Sequence, residues 1–226
     1  KTKIGGQDTE RDRVLSEAEI WALRLQLPDA RLMPSTEAAI WIALSTLCRI
    51  GELLNARWSD IDLDHHKWRI PDTKNGKPHT VYLSEFAVKH FRRVKELNNN
   101  ETWAYPSRNG KKAVSSKTIT KQLGDRQRDS DPMKRRSKSI ATLKLQGGKW
   151  GPHDLRRTGA TMMTQLGVLP EVADRCLNHV EENRTKRIYQ RHTYENEMQE
   201  AWRLLGKQLE VLTQDNAEDM AILVSA

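Results

Sequence analysis

Two side chains that can bind an anion lie one helical turn apart in residues 151–158 (GPHDLRRT). The proline suits the first position of a helix, and Asp154 in the first turn would complement the positive end of the helix dipole. His153 and Arg156 then share one helix face, so an imidazole and a guanidinium can converge on one group. A phosphate oxygen is the ligand expected at such a helix start. The alternative is that His153 caps the helix and that the arginines form a solvated face.

A phosphodiester can be broken by transesterification with side chains alone, and this chain holds the groups that the reaction needs. A tyrosine hydroxyl, with a reference pKa of about 10, becomes a nucleophile once its proton is taken or shared. Arginine forks and histidine N–H groups can hold the charge on the non-bridging oxygens, and a lysine can protonate the leaving 5′ oxygen. Candidates for these roles occur in the order Arg49, Lys74, His153, Arg156, His179 and Tyr189.

Charge points to a polyanion as the partner. The 226 residues, enough for one large domain or two small ones, include 38 lysines and arginines against 30 acidic residues, a formal net charge of +8. Residues 108–157 hold 15 basic and 4 acidic residues, a net of +11, whereas residues 195–226 hold 7 acidic and 2 basic, a net of −5. We therefore expect the nucleic-acid face in the middle of the chain, with phosphate contacts from Lys134, Arg135, Arg136, Lys149 and Arg157.

The two cysteines, Cys48 and Cys176, lie in apolar helical patterns, which favours buried thiols in a reducing compartment over a disulfide. A zinc site formed by Cys176, His179 and His192 is an alternative, but a second close pair of ligands is missing, so we predict no metal. No apolar run approaches the roughly 20 residues that span a bilayer, and no signal peptide is evident. These features predict no membrane association and a cytoplasmic location, as in a bacterial or phage protein.

Helical periodicity dominates the chain, and three short alternating runs at residues 58–63, 67–70 and 79–83 interrupt it. The pattern predicts an α+β fold that is mainly α-helical, with a small antiparallel three-stranded sheet. Asn75-Gly76 is a strong turn signal and places Lys74 at a hairpin tip. Capping residues Ser16, with Glu19 at the capping-box position, and Ser84 mark two helix starts.

Two features leave alternatives open. Arg49 follows an apolar helix of residues 35–47, and Glu52 on the same face could orient its fork or form only a weak surface ion pair. The last helix carries an apolar stripe that could bury in its own core or against a neighbouring protomer, formed by Met198, Trp202, Leu205, Leu209 and Leu212.

The basic stretch of residues 125–149 shows little periodicity and reads as a mobile loop or weak helix that orders on a phosphate backbone. The tryptophans are expected mostly in the core, although Trp150, beside the octet, could instead contact DNA.

Five segments in this order resemble the tyrosine recombinase (phage integrase) family, particularly the integrases of prophages and genomic islands. The first arginine box is similar to residues 46–53 (TLCRIGEL), and the lysine hairpin to residues 73–81 (TKNGKPHTV). The His-x-x-Arg box matches residues 153–158 (HDLRRT), the second histidine box residues 177–179 (LNH), and the nucleophile box residues 188–192 (IYQRH). The resemblance spans residues 15–212.

The resemblance implies a role for each candidate. Arg49 and Arg156 would clamp the scissile phosphate, and Lys74 would protonate the 5′ oxygen. His153 and His179 would assist proton movement and phosphate binding, and Tyr189 would form the 3′-phosphotyrosyl link. It also implies a site-specific DNA recombinase of a mobile element that needs no metal, ATP or other cofactor and works on double-stranded attachment sites as a tetramer.

The chain departs from the family pattern at three places. Leu47 and Asn178 stand where the family often has glycine, and the step from His179 to Tyr189 is one residue longer than in many members. Tyr194 is therefore the alternative nucleophile.

The domain layout implied by the resemblance has three parts. Residues 1–14 read as a linker from a missing N-terminal DNA-binding domain, residues 15–213 as the catalytic domain and residues 214–226 as a C-terminal tail. C-terminal segments of the family pack onto neighbouring protomers, which makes the apolar stripe of the last helix a candidate for such packing.

Two other functions are compatible with the sequence. A type IB topoisomerase would use the same groups to relax DNA without exchanging strands. A non-catalytic DNA-binding regulator would need only the basic face and would have no reason to keep the tyrosine with the arginines, histidines and lysine.

Overall fold

Eight α-helices and one three-stranded sheet form the part of the chain that the computed structural model describes, residues 12–130, 137–179 and 192–214. The predicted α+β fold with dominant helices is confirmed. The helices are α1 (Glu17–Gln26), α2 (Pro34–Thr46), α3 (Ile50–Leu54), α4 (Glu85–Leu97), α5 (Ser116–Arg126), α6 (Pro152–Gln165), α7 (Pro170–Cys176) and α8 (Glu195–Thr213). Among these, no helix combines the length and apolar composition needed to cross a bilayer.

Side-chain hydrogen bonds at the first turn start α1 and α6 where the sequence predicts. The Ser16 hydroxyl accepts a bond from the Glu19 amide at 3.2 Å, and the Glu19 carboxylate accepts one from the Ser16 amide at 3.0 Å. At α6 the Asp154 carboxylate accepts a 2.9 Å bond from the Gly151 amide. Each bond satisfies a backbone donor at a helix start, so the octet 151–158 begins a helix as expected.

The sheet has the order β1 (Ile61–Asp62), β2 (Lys67–Ile70) and β3 (His79–Tyr82), with both pairs antiparallel. Trp68 pairs with Val81, and both side chains are buried against the helices. The connection between β2 and β3 forms a long hairpin tip, residues 71–78, that carries Lys74.

The apolar stripe of α8 packs into the core of its own chain. All five stripe residues are buried, and the Trp202 indole donates a 3.3 Å bond to the Thr46 carbonyl at the end of α2. Of the two alternatives for this stripe, the structure shows packing in the chain's own core, where its apolar surface is covered by the chain's own helices.

The irregular stretch between α5 and α6 is anchored to the core. Leu143 and Leu145 are buried, and Trp150 is 3% exposed with its indole N–H donating to the Leu143 carbonyl at 3.1 Å. The Trp150 backbone amide also donates to the Gln127 side chain at 2.8 Å. Trp150 is therefore a core residue, and the alternative that it contacts DNA is wrong. Residues 131–136 lie outside the described part of the chain.

Gly159 lets α6 approach α2 closely. A Cβ atom at this position would lie 2.5 Å from the Leu44 carbonyl oxygen and 2.9 Å from Leu47 Cδ1. Since one neighbour is backbone, a larger side chain would force the two helices apart.

We expect Gly159→Ala to lower the free energy of unfolding by about 1–3 kcal/mol, as overpacking does in a dense core. The control is Gly124→Ala in α5, where a Cβ meets nothing within 4 Å and should add up to about 1 kcal/mol of stability. Urea unfolding of both variants measures the difference. Equal stability of the two would contradict the close helix approach.

His90 is a largely buried histidine of α4. Its ring lies 4.6 Å from the Phe86 ring and is stacked on Trp41 at 6.2 Å, measured between centroids. Burial, assisted by the charge of Lys89, lowers the pKa of His90 to about 4. The unfolded chain therefore binds a proton at this histidine near pH 6.5, a much higher pH than the folded chain requires.

Because the unfolded state binds more protons between about pH 6.5 and pH 4, stability should fall as pH falls through this window. We expect the wild type to lose about 2 kcal/mol more than His90→Gln between pH 7 and pH 5. Urea unfolding at the two pH values tests this, and parallel losses in both proteins would show that His90 does not carry the effect.

Candidate active site

Arg156 of α6 joins the ends of two other helices. One terminal nitrogen of its guanidinium donates to the Leu47 carbonyl after α2, and the other donates to the Leu177 carbonyl after α7. The residue is 5% exposed. A planar fork with donors in fixed directions suits two carbonyls that a lysine could not satisfy together.

The backbone turns that present these carbonyls are left-handed. Leu47 has φ 57°, and Asn178, which follows Leu177, has φ 51°. These are the two positions at which the chain departs from the glycines of the family, which explains why glycine suits them. Asparagine tolerates this conformation well, whereas Leu47 bears a conformational cost that its complete burial helps to offset.

Glu52 orients Arg49, as one of the two alternatives predicted. Its carboxylate accepts a 2.8 Å bond from the Arg49 amide and a second 2.8 Å bond from the Arg49 guanidinium. The arginine side chain is 28% exposed and that of Glu52 is 9% exposed. The pair is thus partly buried at the start of α3, and the arginine is the more exposed of the two partners.

Arg49, His153 and Arg156 belong to one neighbourhood, because Arg156 bonds the carbonyl two residues before Arg49 and lies one turn after His153 on α6. Burial, and next the charge of Arg49, lower the pKa of Arg156 to about 10, so the guanidinium stays charged at neutral pH. Burial, and then the charges of Arg157 and Arg156, lower the pKa of the His153 imidazole. Two cations beside a neutral imidazole form a site that favours an anion.

Lys74, at the hairpin tip, shares a cleft with Arg49. It lines a cleft of about 460 Å³ together with Arg49 and Glu52, with Trp68 and Trp103 among the cleft walls. The lysine itself is exposed, so its ammonium can reach a group bound in the cleft.

His179 lies in the turn after α7. Its Nδ1 is 3.2 Å from the Asp174 carboxylate, which marks Nδ1 as the protonated nitrogen and leaves Nε2 as the acceptor of the neutral ring. The side chain is exposed, on the same turn whose Leu177 carbonyl binds Arg156.

His79 of β3 belongs to this group, although its sequence context assigns it no role. Its Nε2 lies 3.2 Å from the Cys176 carbonyl, and burial lowers its pKa, while Glu52, Arg156 and Arg49 all act on it electrostatically. The only hint in the sequence is its place in the lysine hairpin, at an alternating position that faces the core side.

Comparison with known proteins places this arrangement in a family. A sequence model described as the phage integrase family matches residues 13–196. The chain belongs to this family. Prophage integrase IntA of Escherichia coli (strain K12) is 29% identical over 168 residues, which cover 73% of this chain and 36% of that protein. The chain thus spans about a third of the length of this relative.

Two solved structures show the same fold. The lambda integrase catalytic core matches with a TM-score of 0.56 at 20% identity, over 77% of this chain and 95% of that one. A lambda integrase(75–356) dimer bound to a COC′ core site matches with a TM-score of 0.56 at 18% identity, over 79% of this chain and 62% of that one.

Of the two candidate nucleophiles of this integrase-family chain, Tyr194 lies in the described part of the structure. Tyr189 lies outside the described residues. Tyr194 precedes α8 with φ 59°, its hydroxyl donates a 3.4 Å bond to Glu171, and the Arg175 guanidinium stacks 4.4 Å from its ring centroid. Tyr194 is thus built into the packing between α7 and α8.

Of the five predicted DNA contacts, two lie within the described residues. Lys149 is exposed and lines a cleft of about 540 Å³ with Lys117, Lys121 and Arg128, next to Ile50 beside the arginine site. Arg157 pairs with the buried Asp154 at 3.3 Å at the start of α6, and 28% of its side chain is exposed. Lys134, Arg135 and Arg136 lie outside the described residues.

The zinc alternative has no counterpart in residues 12–130, 137–179 and 192–214, where no three His, Cys, Asp or Glu side chains are grouped to hold a metal. His192 instead bonds Glu197 at 2.8 Å, and Cys176 is buried with its thiol pKa raised by burial.

We expect Arg156→Lys to lower the free energy of unfolding by about 1–3 kcal/mol, because one ammonium leaves a buried carbonyl unpaired. The matched control is Arg203→Lys on the exposed face of α8, whose solvent-screened ion pair with Glu200 should leave stability close to that of the wild type. Urea unfolding of both variants is the measurement. Similar small effects would mean that the two carbonyl bonds do not hold the turns.

Proposed function

We propose that this chain is the catalytic region of a site-specific DNA recombinase that integrates or excises a mobile element. The observation that carries the proposal is the buried Arg156, fixed by two carbonyls and close to Arg49 and His153. Two preorganised guanidiniums and an imidazole suit the doubly charged transition state of phosphoryl transfer.

The proposed cleavage step is a transesterification. The hydroxyl oxygen of Tyr189 attacks the scissile phosphorus, the bond to the 5′ oxygen breaks, and a 3′-phosphotyrosyl ester forms. Lys74 gives a proton to the leaving 5′ oxygen, while Arg49 and Arg156 hold the non-bridging oxygens. The ester conserves the energy of the phosphodiester bond, so the reverse attack by a 5′ hydroxyl can rejoin strands without ATP.

The two histidines of the site supply proton transfer and phosphate contacts. The lowered pKa of His153 keeps its imidazole neutral near pH 7, so it can donate one N–H and accept a proton. His179 presents its acceptor nitrogen because Asp174 holds the other one. A neutral base beside the phosphate is what a tyrosine nucleophile with a high pKa requires.

We assign the nucleophilic hydroxyl to Tyr189, and the contacts of Tyr194 support this assignment. The Tyr194 hydroxyl bonds Glu171 and its ring lies under Arg175, so its release would break two contacts between α7 and α8. A nucleophile must instead be free to reach the phosphorus.

The basic charge of the chain and the DNA-bound structure of a lambda integrase support DNA as the partner. The basic cleft around Lys149 and α5 adjoins the arginine site, and a lambda integrase of the same fold is bound to a core site. We propose double-stranded attachment sites as the substrate, contacts from Lys134, Arg135, Arg136, Lys149 and Arg157, and a tetramer on DNA. Residues 15–213 would be the catalytic domain, residues 1–14 a linker and residues 214–226 a tail.

Recombination is favoured over DNA relaxation or a purely regulatory role. One curated relative is a prophage integrase, and a regulator would gain nothing from a buried arginine held beside a second arginine and a histidine. Strand exchange between two duplexes, in contrast to relaxation of one, is the discriminating activity.

We expect wild-type protein to form a covalent adduct with nicked duplexes of randomised sequence, in which the released short strand cannot return to reverse the cleavage. Tyr189→Phe should form no adduct above background, and Tyr194→Phe should retain it, because only Tyr189 supplies the attacking oxygen. Denaturing electrophoresis detects the adduct, and sequencing the attached DNA identifies the preferred site.

Adduct formation by Tyr189→Phe, together with its loss in Tyr194→Phe, would overturn the nucleophile assignment. Absence of any adduct with wild type would overturn the proposed function.

A further inference from the structure

The tip of the lysine hairpin is bonded to the turn that carries His179. The Asn75 side-chain amide donates a 2.7 Å bond to the Asn178 carbonyl, and the Asn178 side-chain amide donates a 3.3 Å bond back to the Asn75 side-chain oxygen. Each asparagine thus acts as donor and acceptor toward the other, across 103 residues of sequence.

Both partners are held locally, so the link joins two ordered turns. The Thr73 hydroxyl contacts the Asn75 side-chain oxygen and lies 2.6 Å from the Lys77 carbonyl, and Gly76 at φ 72° closes the tip. Asn178 has the left-handed φ of 51°, a conformation that asparagine accepts more readily than most residues. Both side chains are half-buried.

A second bond joins the same two segments on the strand side of the tip. His79 Nε2 lies 3.2 Å from the Cys176 carbonyl, and a carbonyl can only accept, so Nε2 carries the proton. The hairpin is therefore attached to the end of α7 on both sides of its tip.

The sequence neighbours of the amide pair are two of the proposed reacting groups. Lys74 precedes Asn75, and His179 follows Asn178. Lys74 is exposed, so the backbone of the tip determines where its ammonium can reach. Leu177 connects the same turn to Arg156 through its carbonyl. A continuous set of bonds thus runs from the phosphate clamp through the turn to the lysine.

We propose that Asn75 and Asn178 are positioning residues that hold Lys74 over the scissile phosphate in register with His179 and Arg156. This inference rests on the proposed function, because it assigns the pair to proton donation by Lys74. Neither asparagine touches the reacting atoms in this arrangement, and each acts through the lysine that the pair holds.

The test compares two ester chemistries on one DNA sequence. Nicked duplexes of the sequence enriched in the wild-type adduct are made with an ordinary 5′ oxygen or with a bridging 5′ sulfur at the cleavage point. A thiolate leaves without protonation, so the sulfur ester does not need a positioned acid. The variants are Asn75→Ala and Asn178→Gly, the second of which keeps a residue suited to the left-handed turn.

The control variants bracket the expected effect. Lys74→Ala should slow cleavage of the oxygen ester by about 100-fold or more and recover on the sulfur ester. Asn109→Ala removes an exposed asparagine that bonds Ser107 and Lys111 in its own turn and, among the described residues, has no bond to the lysine hairpin or to α7; it should match wild type on both esters.

We expect Asn75→Ala and Asn178→Gly each to slow cleavage of the oxygen ester about tenfold, as the loss of one or two hydrogen bonds allows. On the sulfur ester both should cleave within about twofold of wild type. Wild-type rates on both esters, or equal slowing on both, would overturn the positioning role. Absence of cleavage by wild type would overturn the proposed function itself, and the inference with it.

Discussion

The buried guanidinium of Arg156 is the interaction on which the rest of the site depends. Its charge is costly to remove from water, and the two carbonyls of Leu47 and Leu177 compensate that cost only if both helix ends stay in place. The same two bonds fix α2, α6 and α7 relative to one another. The site and the helix packing therefore share one constraint, and a change that loosens either one loosens both.

Local signals in the sequence predicted the elements well, because their causes are local. The Ser16–Glu19 capping box, the Ser84 cap and the Asn75-Gly76 turn act within four residues, so the sequence around each shows what forms there. The pairing of Arg49 with Glu52 also belongs to this class, since one helical turn separates them. The site residues that these elements carry could be named for the same reason.

Contacts between distant segments could not be predicted in this way. The stripe of α8 shows that one face must be covered, and nothing in its period tells whether the chain or a neighbour covers it. Trp150 lies in a basic stretch, yet its indole is buried by a bond to Leu143. His79 contacts Cys176 across 97 residues, so its place in the site follows only from the fold.

The charges of the site explain why an anion completes it. Burial, and next repulsion by Arg49, lower the pKa of Arg156, while the Glu52 carboxylate acts favourably on both arginines. Cys48 immediately precedes Arg49, but burial raises its thiol pKa to about 12, so it stays neutral and cancels no charge. The fold thus holds an excess of positive charge in place through the Arg49–Glu52 ion pair and the two carbonyl bonds of Arg156. A phosphate that enters relieves this repulsion, and the relief grows as negative charge develops on its oxygens.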